Sequence, residues 1–436
     1  MNALEQSLLA GADGLEPAPE FVAAPRRAGR EGFERNGLPT TRQEDWRFTS
    51  LAPLAAHAFE RGDPAAPVTA AEIERSAGMP FGPRLVFVNG RLRADLSSAH
   101  GLQPGIHASS LRHAIAVSPG LVEPRLARTA SIEWRPLAAL NTAFLGDGAF
   151  VHFGAGAKGG VVELVFATVA RQRPAASHPR VLVLADAGSD ATLVETYVAL
   201  GDQPAFTNGV TEVALGQGAR LDHYQVQDQP SSAFHFTTLA ADQGPDARLS
   251  THASALGAAI SRSDVTARLS GEGAEAVVSG LYMADGRRLV DNHSVVEHAV
   301  PRGTSRELFK GILDGESRAV FAGRIRVLEG AMKTDAHQSN SNLLLSRDAV
   351  IDTLPQLEIY ADDVKCGHGG TVGELDREAL FYLRSRGLPL SRARSLLIYA
   401  FAREMVDRVA LPALRDRVGR LVAARLPDGE KILEAA

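Results

Sequence analysis

The sharpest local chemistry in the sequence lies in Asp362-Asp-Val-Lys-Cys-Gly-His-Gly-Gly370, where the chain's one cysteine stands two residues before a histidine. A thiolate and a neutral imidazole both bind soft and borderline metals. Lys365, next to Cys366, favours the thiolate. Cys366 and His368 make half a tetrahedral site, since a closed one takes four ligands. The remaining ligands must come from elsewhere in the fold or from another chain. The same residues also fit a packed thiol and a histidine hydrogen-bonded within its own glycine-rich loop, and the spacing leaves both readings open.

A second set of candidates runs through the middle of the chain: His223, His235, His252, His293, His298 and His337. His223 follows Gly216 by seven residues and His252 follows Gly244 by eight, which makes them candidates to stack on adjacent repeats as a metal-relay face; structural or surface roles fit the same spacing. In Gln338-Ser-Asn-Ser-Asn-Leu-Leu-Leu-Ser346, alternation directs Asn340 and Asn342 to one face of a strand, where asparagine ladders are the plain expectation. Trp46, among Glu44, Asp45 and Arg47, reads as an aromatic that packs an N-terminal cap onto the body, with a binding role as the other reading.

Other chemistries are excluded. No G-x-x-x-x-G-K-[ST] loop occurs, because Lys333-Thr334 lacks the preceding glycines, so there is no phosphate cradle of that type. Gly154-Ala-Gly-Ala-Lys-Gly-Gly160 precedes a strand and reads as a turn. One cysteine excludes an internal disulfide framework, a self-contained zinc finger and a four-cysteine cluster. With 46 basic and 51 acidic residues, a net charge of −5 gives no overall pull toward nucleic acid. The chain has no apolar run of about 18 residues or more, so no membrane span is expected. Its first residues carry acids and no basic region, so the expected compartment is the cytoplasm.

The elements that must position these residues divide into three stretches. Residues 1–149 read as a mostly helical region with a short strand segment at RLVFVNGRL (84–92), which contains an Asn-Gly turn. From 150 to 365, short runs rich in Val, Thr and Leu alternate with turns, as in VVELVFATV (161–169), RVLVLAD (180–186) and ARLDHYQVQ (219–227). The turns at Gly188, Gly216 and Gly244 share the pattern G-x-x-A-x-L, and Gly271 departs only at the last place; the spacings are 28, 28 and 27 residues. Ser317-Arg-Ala-Val320 and Ser346-Arg-Asp-Ala-Val350 look like later copies. A period of this length with strand, turn, strand, turn in each unit predicts a mainly β protein built on a right-handed parallel β-helix. A β-sandwich with evenly spaced turns is the alternative. From 366 to 436 the apolar spacing becomes helical, with breaks at Gly387-Leu-Pro389 and Pro412. Helical regions at both ends are expected to cover the solenoid's open edges.

The run ADDVKCGHGGTVGELDREALFYLRSRGL (361–388) closely resembles the C-terminal signature of the SufB/SufD family of iron–sulfur cluster assembly scaffolds. HQSNSNLLLS (337–346) and LPTTRQEDWRFTSL (38–51) resemble its other recognisable stretches, and the likeness runs in order over most of the chain. The family's fold, a parallel β-helix between helical ends, agrees with the repeats. Asn340 stands where the SufB branch carries a cysteine, and the chain's single cysteine favours the SufD branch. The resemblance implies that His368 matches a histidine used in cluster assembly at the SufB–SufD interface, and Cys366 the cysteine two places before it. It implies a scaffold rather than an enzyme. Its partners would be SufB, through the β-helix, and the ATPase SufC, through the C-terminal helices, where Phe381, Tyr382, Arg384 and Arg386 are the candidate contacts. A transient Fe–S cluster is the implied cargo, and reduced flavin is also attributed to such complexes. A surface that meets a paralogous β-helix can meet its own copy, so a homodimer is a further expectation. The alternatives are a SufB-type paralogue and, from another class, a β-helix polysaccharide lyase.

Overall fold

The computed structural model describes residues 1–433. Its body is a parallel β-solenoid in which each coil gives one strand to each of two sheets. The first sheet contains Gly148–Phe153, Arg180–Ala185, Ala205–Leu215, Ala233–Gln243, Ile260–Leu269, Leu289–His298, Arg318–Val327 and Val350–Ile359. The second contains Lys158–Val169, Asp190–Leu200, Arg220–Gln227, Arg248–Ala255, Glu275–Ala284, Thr304–Leu313, Asp335–Leu344 and Lys365–Gly373. The described residues thus form eight coils. Alternate side chains point inward. One such column runs Leu221, Leu249, Ala276, Ser305, Ala336 and Cys366 up successive coils of the second sheet. Tiers of this kind bury a continuous apolar interior that no coil could form alone.

The turn repeat is real, but its register differs from the sequence spacing. Gly216, Gly244 and Gly271 do stack: a Cβ on Gly271 would fall 2.0 Å from the nitrogen of Pro245, beside Gly244, so only glycine fits that approach. Gly188 is two residues out of this column, because Asp190 pairs with Arg220, an interval of 30 rather than 28. The column that truly repeats is a left-handed residue two places before each strand of the second sheet. It comprises Gly156, Gly188, Gly218, Asp246, Gly273, Arg302, Lys333 and Asp363, with φ between 55° and 74°. Ser317-Arg-Ala-Val320 and Ser346-Arg-Asp-Ala-Val350 lead into strands of the first sheet, so they belong to the opposite corner and are not copies of this turn.

The N-terminal end is closed by strands as well as helices. Ile106–Ser110 lies antiparallel on Gly148–Phe153, and the hairpin Arg84–Val88 with Arg91–Leu92 seals the second sheet through an Asn89-Gly90 turn with φ of 48° and 83°. Trp46 is buried with Phe206, Phe234 and Phe236 of the first sheet, and the Arg262 guanidinium lies 3.8 Å from its ring centre. It packs the N-terminal segment onto the body.

The C-terminal helices Leu390–Val406 and Pro412–Ala423 do not close the far end. They lie along the flank of the second sheet, where Ile398, Ala402, Met405, Leu414 and Val418 bury Tyr224, Val226, Leu281 and Ile312. Val350–Ile359 and Lys365–Gly373 are therefore left as terminal strands of the two sheets. The helical stretch expected from 366 begins at Arg377, because 365–373 make the last strand. No described helix is long and apolar enough to cross a membrane.

Candidate functional site at the open end of the solenoid

Cys366 and His368 lie on the last strand, not in a loop. Cys366 pairs with Ala336, His368 with Gln338 and Gly370 with Asn340. Ala336, Gln338 and Asn340 are buried inside the solenoid, so the pleat directs Cys366 and His368 to the same inner face, at the coil that nothing covers. Their surroundings differ. Cys366 packs on the small apolar cluster of Ile325, Val327, Ala331 and Ala336, and burial, with Asp335 nearby, pushes its thiol pKa up. This reverses the expectation that Lys365 favours the thiolate. Alternation sends Lys365 to the other face, where it acts on Asp335 instead. His368 is exposed, and no side-chain hydrogen bond ties it to a described residue.

Beneath His368 the interior is polar. The register column runs His368, Gln338, Glu307. Gln338 Nε2 donates to Glu307 Oε2 at 3.1 Å and the Ser294 hydroxyl donates to the same oxygen at 2.5 Å. Burial pushes the Glu307 carboxyl up to about 7. Glu307 Oε1 and Gln338 Oε1 have no partner among the described residues. Alongside, Asn342 Nδ2 donates to Asn340 Oδ1 at 2.6 Å, and Asn340 Nδ2 donates to the Tyr282 hydroxyl at 3.0 Å. The two asparagines do share a face, but they bond each other and a tyrosine rather than forming a ladder between coils. Reading by residue type missed Glu307 and Tyr282. The signal available was the alternation that places Gln338 with Asn340 and Asn342.

The mid-chain histidines form no relay face. His223 pairs with Thr251 and His252 with Tyr224, one residue out of step, so the two rings point to opposite faces. His223 is inside, 3.2 Å from Glu195 and 2.9 Å from Thr251, while His252 bonds Ser279 at 3.0 Å. His298 bonds Ser305 at 2.9 Å, and His293 lies 2.9 Å from Asp291. No group of three or more His, Cys, Asp or Glu among the described residues is placed to hold a metal ion.

The candidate partner contacts sit apart from this site. Phe381 and Tyr382, on the helix Arg377–Ser385, are 73% and 56% exposed, and Arg384 and Arg386 are exposed with them. Arg386 Nη2 donates to the Tyr382 hydroxyl at 3.1 Å and its guanidinium lies 5.1 Å from that ring. The pair holds an aromatic face open to solvent.

Two family models match the chain. The SufBD protein N-terminal region covers residues 15–160, and the SufBD core domain of SUF-system FeS cluster assembly covers residues 166–401. The chain belongs to the SufBD family. The iron–sulfur cluster assembly protein SufD of Escherichia coli is 31% identical over 445 aligned residues, spanning 99% of this chain and 98% of that protein. An iron–sulfur cluster assembly SufBD family protein of Synechocystis is 35% identical over 400 residues, with 89% and 87% covered. The chloroplastic protein ABCI7 of Arabidopsis thaliana is 32% identical over 243 residues, 55% of this chain and 51% of its own. This chain is thus an iron–sulfur cluster assembly protein of the SufBD family and a SufD homologue, which sets the polysaccharide-lyase reading aside. The SufBD core match takes in the last strand and the helix Arg377–Ser385. A flavin finds no support here.

Proposed function

We propose that this SufBD protein is a SufD-type, non-enzymatic scaffold subunit that works in the cytoplasm and builds a nascent Fe–S cluster where its solenoid meets that of SufB. The observation that carries this reading is the open coil. Two terminal strands, Val350–Ile359 and Lys365–Gly373, present unpaired backbone at one end, and His368 stands exposed on the inner face of the second. An exposed strand edge is a template for strands of another chain. A partner solenoid docked there would bring its own side chains against His368, and cluster iron would take the imidazole as one ligand, with the remaining ligands from SufB. Cys366 is the second candidate ligand; its raised thiol pKa means that it must lose a proton to bind.

The ATPase SufC would dock on the Phe381–Tyr382 face with Arg384 and Arg386 at its rim, since exposed aromatics and arginines are favoured interface anchors. ATP hydrolysis then belongs to SufC. A homodimer through the same free edges is the resting form this geometry allows in the absence of SufB. Co-expression with SufB and SufC, followed by size-exclusion chromatography and iron and sulfide analysis, tests the reading. The expected result is one complex containing all three chains and acid-labile sulfide. A chain that elutes alone in the presence of both partners would contradict it.

A further inference from the structure

A cleft far from the open end collects more positive charge than it neutralises. Six separate segments meet between the N-terminal region and the first coils, bringing Arg26, Arg61, Arg91 and Arg112 together. The carboxylates facing them are Glu16, 3.0 Å from both Arg91 and Arg112, and Asp147, which accepts from the backbone of Gly148 and Arg112 at 2.9 and 3.2 Å. Four guanidinium groups against two carboxylates leave two positive charges unbalanced. Arg26 donates to the carbonyls of Leu145 and Glu16. Arg61 is half-buried and has no side-chain hydrogen bond or ion pair among the described residues. Burial and the nearby Arg91 push its pKa down, against the opposing pull of Glu16, which is already bonded to Arg91 and Arg112.

A second, independent feature lies in the wall of the same cleft. His178 is buried, and its ring stacks on Phe144 at 4.4 Å with the planes 7° apart. Asn208 Nδ2 donates to the Leu137 carbonyl at 2.9 Å, which fixes the amide's orientation, and the same nitrogen lies 3.4 Å from His178 Nδ1. Nδ1 is therefore the acceptor of the neutral ring, and Nε2 carries the proton. That buried Nε2–H has no partner. A buried donor left without an acceptor is unfavourable, and an acceptor atom brought to it by a ligand would complete the bond.

We propose that this cleft binds a small molecule carrying a dianionic phosphoryl group, whose oxygens accept from His178 Nε2–H and from the Arg61 guanidinium. Guanidinium forks match phosphoryl oxygens in pairs. Val22, Ile115 and Phe144 supply an apolar wall for a short organic group on the ester. Inorganic phosphate and glycerol 2-phosphate serve as probes of free and esterified phosphate, with sodium chloride at matched ionic strength as the control.

The test uses the full chain. Equilibrium dialysis should show saturable binding of one phosphoryl probe per chain, and thermal unfolding should show a rise in Tm beyond that given by chloride. Tighter binding of the ester marks an esterified ligand, and equal binding marks phosphate itself. Arg61→Met should weaken binding by roughly tenfold or more while leaving the ligand-free Tm at or above the parent's, because this guanidinium has no partner to lose. No saturable binding beyond chloride, or equal binding by Arg61→Met, would overturn the proposal. So would a ligand-free Arg61→Met that melts well below the parent, since Arg61 would then be held by contacts within the fold.

Discussion

Gln338 is the strand partner of His368 on the last coil, and its side-chain amide reaches 3.1 Å into the solenoid to donate to Glu307. The exposed imidazole is thus the outermost member of a polar column whose inner member is a buried carboxyl. The column has measurable consequences, and so do the packing of the two ends and the lone thiol.

Glu307 makes stability depend on pH. Burial raises its folded-state pKa from 4.5 to about 7, so the folded protein holds this proton more tightly than the unfolded chain does. Its contribution is fully present below about pH 4.5 and is lost as pH rises through about 7. Glu307→Gln keeps the shape and stays neutral. The variant should match the parent near pH 4.5 in urea unfolding and exceed it at pH 8, by an amount on the order of a few kcal/mol. Equal pH profiles for the two proteins would refute the buried, raised carboxyl.

The N-terminal segment is clamped by ionic contacts beneath Trp46. Arg262 lies under that ring, 2.6 Å from Asp291 and 3.0 Å from Asp264, and the Thr49 hydroxyl donates to Asp291 at 2.6 Å. The Arg262 guanidinium holds the Asp291 carboxyl well below the usual carboxylate range. Arg262→Met would strand the buried Asp291 carboxylate and the partly buried Asp264, and should cost about 3–5 kcal/mol in chemical denaturation. A loss below about 1 kcal/mol, the level of an exposed ion pair, would show that the cluster is not a clamp.

Partner docking is best tested without truncation. Removing 376–436 would bare Tyr224, Val226, Leu281 and Ile312, which the C-terminal helices bury, so the shortened solenoid would not be a clean control. Phe381→Ser with Tyr382→Ser touches only exposed side chains. This pair should change stability by no more than about 0.5 kcal/mol per site and abolish co-purification with SufC. Undiminished SufC binding would move the docking surface elsewhere.

Cys366 should behave as a half-buried, protonated thiol. Its alkylation rate in the isolated chain should rise with a midpoint above the value of about 8.5 for free cysteine, because burial and Asp335 disfavour the thiolate. A midpoint below that of free cysteine would restore the Lys365-activated thiolate read from the sequence.

The solenoid was legible because its apolar runs and turn glycines are written in residue types, and three of the four described C-terminal helices were legible from their spacing and breaks. Register was harder. Gly188 and Gly218 hold equivalent left-handed positions, yet the repeated pattern aligned Gly188 with Gly216, since a turn can lengthen by two residues without disturbing the strands. Beyond Gly273 the same turn persists with Arg302, Lys333 and Asp363 at positive φ, so the motif fades from the sequence while the coil continues. Cys366 and His368 were found by spacing alone, but their shared inner face and their unequal burial depend on which strand lies beneath them. Glu307 gave no sign, because its neighbours Gln338 and Ser294 come from other strands and its chemistry is set by the dry interior they share. The open end is also a tertiary fact: apolar helix faces predict that the C-terminal helices pack, not that they pack on the flank.

Cluster content of His368→Ala in the complex co-expressed with SufB and SufC tests the central claim most directly. His368 is exposed and makes no side-chain hydrogen bond among the described residues, so the variant should keep the parent's melting temperature, assemble with both partners and retain their ATPase activity. Its iron and acid-labile sulfide should fall severalfold, because a methyl group cannot ligate iron. Normal cluster content in an intact His368→Ala complex would contradict the account.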